Sequence, residues 1–159
     1  MFIRVDNRLI HGQIIEGWLP YLKSSCIVVV NDEVANDPFR KMILEMAVPS
    51  DIDVAIYTIE EFSNEWSHFE ANGKGTIVLF ENIEDVLISY TLGLHFGKLN
   101  IGNVPSEEGK VCFTPSIFLN EQNVKDLMYL MASGIEVEVR CVPRDKPIDF
   151  REVAKKIRF

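Results

Sequence analysis

The sequence predicts an α/β fold: one domain over residues 1–159, a mainly parallel β-sheet with helices on both faces. Three observations predict it. Short β-branched runs alternate along the chain with runs whose apolar residues recur at spacings of 3 and 4, strand then helix. The connections are mostly short, and such strand–helix–strand units close into parallel sheets with right-handed crossovers. One run, CIVVVN at 26–31, is apolar almost throughout, the mark of a strand covered on both faces. No internal repeat and no linker divides the 159 residues, a length suited to one domain.

The elements follow in order. FIRV (2–5) is the first strand. Ile10, Ile14, Ile15, Trp18, Leu19 and Leu22 then trace one helix face, with Pro20 expected to end or bend the helix near its last turn. After CIVVVN, NDPF (36–39) opens a second helix. Asp37 can accept from first-turn N–H groups, and Pro38 takes the first helical position, where its missing N–H costs nothing. Phe39, Ile43 and Met46 or Ala47 share a face of this helix, which runs until Pro49. DVAIY (53–57) is a third strand, and TIEE (58–61) is a capping box opening a helix to about Phe69. NGKG (72–75) reads as a turn, TIVLF (76–80) as a strand, and ENIEDVLISYTLGLHF (81–96) as a helix capped by Asn82. KLNIGNV (98–104) gives a short strand and VCF (111–113) a small edge strand. Asn120 caps a helix to Ala132, which Gly134 stops. IEVEVRCV (135–142) alternates as a strand near an edge, and the tail ends in a short basic helix.

Composition excludes several function classes. Asp and Glu number 24 against 16 Lys and Arg, a net charge of −8 that disfavours non-specific nucleic-acid binding. No apolar run approaches the ~18–20 residues that cross a bilayer. The opening MFIRVDNR turns charged at its fourth residue, unlike a secretory leader, so a cytoplasmic location is expected. Cys26, Cys112 and Cys141 are odd in number and lack CxxC spacing, which predicts buried, reduced thiols rather than a disulfide or zinc framework. His11 has no second histidine at i+2 or i+4, and His68 and His95 belong to other elements, so no metal is expected. Neither GxGxxG nor GxxxxGK[ST] occurs, and GKGTIV (73–78) precedes a strand instead of following one, so no nucleotide cofactor is expected.

In a doubly wound sheet, ligands meet the loops beyond the carboxyl ends of the strands. The first such loop is DNRLIHG, carrying an acid, a guanidinium, an imidazole and a glycine. His11 close to a helix N-terminus is favoured in its neutral, nucleophilic form, and the same N–H groups would stabilise a phosphorylated ring. Arg8 offers a planar fork to phosphate oxygens. Asp6 can orient the imidazole by accepting its second N–H. Gly12 removes bulk where a second protein must approach. A histidine in this place also serves as a simple cap or core neighbour, and Leu9 and Ile10 read as core residues before docking residues.

RVDNRLIHGQIIEGW, followed by VVVNDEVANDPFRKMILEMAVPS, resembles the B subunit (IIB) of the mannose/fructose/sorbose family of the bacterial phosphoenolpyruvate-dependent sugar phosphotransferase system. LNIGN and LMASGIEVEVRCVPRDKP continue the likeness in order and spacing, so it spans nearly the whole length. The resemblance implies a mainly parallel sheet and a cytoplasmic phosphocarrier. His11 would accept a phosphoryl group on a ring nitrogen, Nδ1, from a phosphohistidine of the IIA subunit. It would pass the group to a sugar held by the membrane-embedded IIC and IID subunits. The family's phosphate-binding arginines fall on Arg8 and Arg40, with Asp6, Gly12 and Gln13 supporting the loop, and neither metal nor cofactor is implied. GNVPSEEGK (102–110) departs from the pattern: many relatives carry a glycine-rich segment with another histidine there, and this chain has Asn103, Val104 and Pro105. The chain length leaves no room for a fused A domain. Two other readings stay open at this point: a regulatory phosphohistidine protein read by a non-transport partner, and a flavin-type ligand module. Self-association stays open as well.

Overall fold

The computed structural model describes residues 1–71 and 75–159. Part of the NGKG turn expected at 72–75 therefore lies outside the described residues. Seven strands form the main sheet: β1 (Phe2–Asp6), β2 (Cys26–Val30), β3 (Asp53–Tyr57), β4 (Thr76–Phe80), β5 (Lys98–Asn103), β8 (Glu136–Val139) and β9 (Ile148–Asp149). Their order is β3-β2-β4-β1-β5-β8-β9, parallel throughout except for β9, which runs antiparallel to β8. The predicted α/β class and mainly parallel sheet are the ones observed. β2 and β4 are buried along their whole length, as their continuous apolar runs require.

Helices cover both faces. On one face lie a π-helical turn (Gln13–Trp18) running into α1 (Leu19–Leu22), then α2 (Asp32–Ala35) and α3 (Pro38–Met46). Ile14, Trp18, Leu19 and Val34 pack there on Ile27, Val29, Ile77 and Leu79. On the other lie α4 (Ile59–Ala71), α5 (Ile83–Thr91), α6 (Glu121–Ala132) and α7 (Phe150–Ala154). Phe62, Val86, Leu127, Leu130 and Phe150 form that larger core with Ile3, Val5, Val28, Leu99 and Ile101. Connections leaving β1 and β2 thus fold onto one face, and those leaving β4 and β5 onto the other. The carboxyl end of β1, flanked by β4 and β5, is where they part, the place at which such sheets open a crevice.

The capping chemistry is as written in the sequence. Asp37 accepts from Phe39 N and Arg40 N, Asn82 from Asp85 N, and Asn120 from Asn123 N. Thr58 and Glu61 exchange both bonds of a capping box.

Several elements differ from expectation. The first helix opens with a wide turn in which Leu19 N–H reaches Ile14 O, directly ahead of Pro20, which has no N–H to donate and crowds the carbonyl four residues back. α2, capped by Asn31, was not anticipated. Its Val34 takes the place against the sheet, so α3 touches the core through Leu44 and leaves Phe39, Met42, Ile43 and Met46 exposed. α5 ends at Thr91, not Phe96, because Gly93 takes a positive φ of 109°. VCF pairs with an unanticipated β7 (Ile117–Leu119) as part of β6 (Val111–Thr114), a ribbon separate from the main sheet. β9 was also missed, and it leaves β8 inside the edge. The last helix, α7, stops before the basic run 155–158. Cys26 is buried, Cys141 half-buried and Cys112 exposed, which corrects the expectation of three buried thiols. No disulfide joins them among the described residues.

Candidate active site

The loop after β1 is shaped by one strained residue. Leu9 N–H donates to Asp6 O at 2.9 Å, closing a turn, and Leu9 stands at φ 58°, a region costing a leucine about 1–2 kcal/mol. Burial offsets that cost: Leu9 and Ile10 both insert into the core under the first helix, as the sequence reading favoured. Anchored by these two, the chain carries Arg8 and His11 over the end of the sheet.

Asp6 is the hub, with no exposed surface. Its Oδ1 accepts from Arg8 N at 3.2 Å and Arg8 Nε at 3.1 Å, and its Oδ2 from Arg8 Nη2 at 3.2 Å and Arg4 Nη2 at 2.9 Å. His11 Nε2 lies 3.0 Å from the same Oδ2. A carboxylate in that setting is acceptor-only, so the neutral imidazole carries its proton on Nε2 and its lone pair on Nδ1. Burial pushes the Asp6 carboxyl up, but the donors His11 and Arg8 and the charge of Arg4 outweigh it and hold it down at about 2.

Nδ1 faces the opening of the helix, where Gln13 N–H approaches at 3.4 Å. The N–H groups of Ile14 and Ile15 are turned to His11 O, so fewer helix N–H groups face the ring than the helix-terminus argument supposed. Gln13 Oε1 accepts from Arg8 Nη2 at 2.9 Å. Gly12 has ordinary helical angles and open space where a Cβ would stand, so nothing within the chain requires glycine there. A groove of about 360 Å³, lined by Gly12, Gln13, Gly17, Val142 and Pro143, opens beside this loop.

The structure thus brings together Asp6, Arg8, His11 and Gln13. Arg40 stands apart from them: its guanidinium lies 3.8 Å from Glu33 and 3.9 Å from Glu81, and no bond joins it to the loop network. Glu81 follows β4, the neighbour of β1, so Arg40 sits over the same edge of the sheet. His68 pairs with Glu65, and His95 meets the edge of Trp66. Among the described residues no three His, Cys, Asp or Glu side chains gather as a metal site, and no helix is long and apolar enough to cross a membrane.

Two residues escaped the sequence reading. Arg4, read only as part of a strand, is fully buried beneath the Trp18 ring, its guanidinium carbon 5.1 Å from the ring centroid. Beneath it lies Gly102, where a Cβ would come within 1.9 Å of that carbon. The β1–β5 register slips there, Val5 facing Ile101 and Asp6 facing Asn103, so Gly102 is the bulge that makes room for Arg4. The signal was present: a glycine inside the strand pattern KLNIGNV marks close approach by another group.

The chain as a whole has relatives among known proteins. The model of the PTS system sorbose subfamily IIB component matches residues 1–159. The fructose-specific EIIB component of Bacillus subtilis (strain 168) is 27% identical over 154 residues, covering 97% of this chain and 94% of that one. The mannose-specific EIIAB component of Escherichia coli (strain K12) is 30% identical over 154 residues, 97% of this chain and 48% of that protein. The crystal structure of the IIB domain of the sorbose permease from Klebsiella pneumoniae superposes with a TM-score of 0.90 at 27% identity, covering 99% and 97% of the two chains.

Proposed function

Because this chain belongs to the sorbose subfamily of IIB components of the sugar phosphotransferase system, a family of phosphotransferases serving sugar uptake, we propose that it carries a phosphoryl group on Nδ1 of His11, received from a IIA phosphohistidine and given to a sugar at the membrane IIC and IID subunits. The observation that carries the reading is the orientation of the imidazole: Nε2 is committed to Asp6 at 3.0 Å, while Nδ1 has only a long contact from Gln13 N–H at 3.4 Å.

In the first step the Nδ1 lone pair attacks phosphorus as the N–P bond of the donor histidine breaks, its electron pair returning to the donor ring. The proton on Nε2 stays hydrogen-bonded to Asp6, which stabilises the positive character the ring gains. In the second step a sugar hydroxyl oxygen takes the phosphoryl group, the N–P bond electrons return to Nδ1, and the hydroxyl proton leaves to a base at the sugar site. The transition state is loose, so placement and neutralisation of the phosphoryl oxygens matter most. Arg8 is half-exposed and its fork can turn from Gln13 to those oxygens. Arg40 has only distant carboxylate partners to leave and can swing toward them from its helix. Gly12, bare and outward, lets the donor protein close on the ring. The chemistry calls on no metal and no cofactor.

Incubating the chain with phosphorylated IIA protein and mapping the label at neutral pH tests the reading. One acid-labile phosphoryl group is expected on His11, absent from a folded His11→Ala variant. Equal labelling of that variant overturns the assignment. Arg8→Ala and Arg40→Ala are expected to slow transfer, and parental rates in both would remove the two arginines from the site.

A further inference from the structure

The site does not end at Asp6. Arg4 Nη1 donates to Asn100 Oδ1 at 2.5 Å, and Asn100 Nδ2 donates to Glu138 Oε1 at 3.0 Å. Glu138 Oε2 meets Lys98 Nζ at 2.8 Å. Arg4, Asn100 and Glu138 are direct register partners across β1, β5 and β8, so the row is a lateral ladder through the sheet. All three are buried, with Glu138 the most exposed at 4%. One continuous polar chain thus leads from the imidazole to a lysine at the far end of β5. Arg4 also holds the segment that leads into Val142 and Pro143 of the groove beside Gly12, donating to Arg140 O at 3.0 Å and Cys141 O at 2.9 Å. Trp18 Nε1 donates to the same Cys141 O at 3.1 Å.

We propose that Arg4 is a positioning residue for transfer at His11, held by the Asn100–Glu138–Lys98 row so that Asp6 keeps the proton on Nε2 and presents Nδ1 alone; the proposal rests on the carrier reading above. The geometry gives the reason. Asp6 Oδ2 takes donors from Arg4, Arg8 and His11 at once. Arg8 is half-exposed and is the group expected to turn to the phosphoryl oxygens, which would release Asp6 on that side. Arg4 cannot turn: Trp18 lies over it, Gly102 under it, and Asn100 and two carbonyls hold the remaining Nη1 and Nη2 donors. Asp6 therefore stays fixed and paired while Arg8 moves. Asn100 presents its oxygen to Arg4 because its amide nitrogen is committed to Glu138 and Arg140 O.

The test reads the ring directly. In the ¹⁵N-labelled full chain, long-range ¹H–¹⁵N correlation gives the His11 tautomer ratio, and transfer from phosphorylated IIA protein gives the rate. The parent is expected to favour Nε2–H by about tenfold or more, the effect of one charge-assisted hydrogen bond. Arg4→Met is expected to lower both ratio and rate about tenfold, and Arg4→Lys to recover part of each, since it restores charge without the fork. Glu138→Gln, which keeps shape, is expected to lower both about threefold. A folded Arg4→Met with either value at the parental level overturns the proposal. If Arg4→Met does not fold, parental values in Glu138→Gln overturn it. Absence of label on parental His11 overturns the carrier reading instead, and the tautomer ratios still judge Arg4.

Discussion

At the scale of single residues, Gly102 and Gly12 make opposite demands. Alanine at 102 would drive its Cβ to 1.9 Å from a guanidinium enclosed on every side. Gly102→Ala is expected to lower stability by about 1–3 kcal/mol, the usual result of overfilling a packed site. It is also expected to slow phosphorylation, because Arg4 must shift. Urea unfolding and a transfer assay measure the two effects. Alanine at 12 meets nothing and gains helix propensity, so Gly12→Ala is expected to leave stability equal or slightly raised. The bulkier Gly12→Val is expected to slow transfer from the IIA protein at unchanged fold. A parental rate in Gly12→Val would leave this glycine without a docking role. The grouping of Asp6, Arg8 and His11 was legible because an acid, a fork and an imidazole sit within six residues at the end of a strand. Arg4 was not, because nothing local in FIRVD says that an arginine points inward; a partner 96 residues away receives it.

At the scale of elements, α3 shows why a helical period does not by itself name the buried side. Phe39, Ile43 and Met46 recur as a core face should, yet Met46 is 78% exposed. Val34 of α2 had already taken the space against the sheet, and a four-residue helix leaves no periodicity to be seen beforehand. Phe39→Ser and Met46→Gln are therefore expected to change stability by no more than about 0.5 kcal/mol. Phe62→Ala in α4, at zero exposure, is expected to cost about 3–5 kcal/mol. Thermal or urea unfolding of the three variants separates the two faces. Caps were read correctly because a cap is a contact between residues two or three apart. β7 and β9, of three and two residues, are too short to carry alternation and exist because a neighbouring strand offers them partners.

At the scale of the whole molecule, the site's charge balance enters stability through pH. The Asp6 carboxyl is held at about 2 against an ordinary 3.8, so the folded state holds it ionised more firmly than the unfolded chain does. That contribution is complete above about pH 4 and is lost as pH falls toward 2, amounting to about 2 kcal/mol. Asp85 acts with the opposite sign: burial first, then Asp32, Glu81 and Glu84, push it up to about 6, so its share of stability falls as pH rises from 3.8 through 6. Urea unfolding between pH 2 and 7 is expected to show both slopes, with Asp6→Asn removing the acid-side slope and Asp85→Asn the other. An unchanged acid slope in Asp6→Asn would assign it elsewhere. The sequence by itself determined the parallel sheet, most helix caps and the first-loop triad, because periodicity, capping and short motifs are local physics acting over a few residues. Only the tertiary structure decided which face of α3 meets solvent, that Arg40 stands apart at rest, and that a buried row from Glu138 to Arg4 backs Asp6. Those depend on strand register and on which element reaches a surface first, and both are set by contacts between residues far apart in the chain.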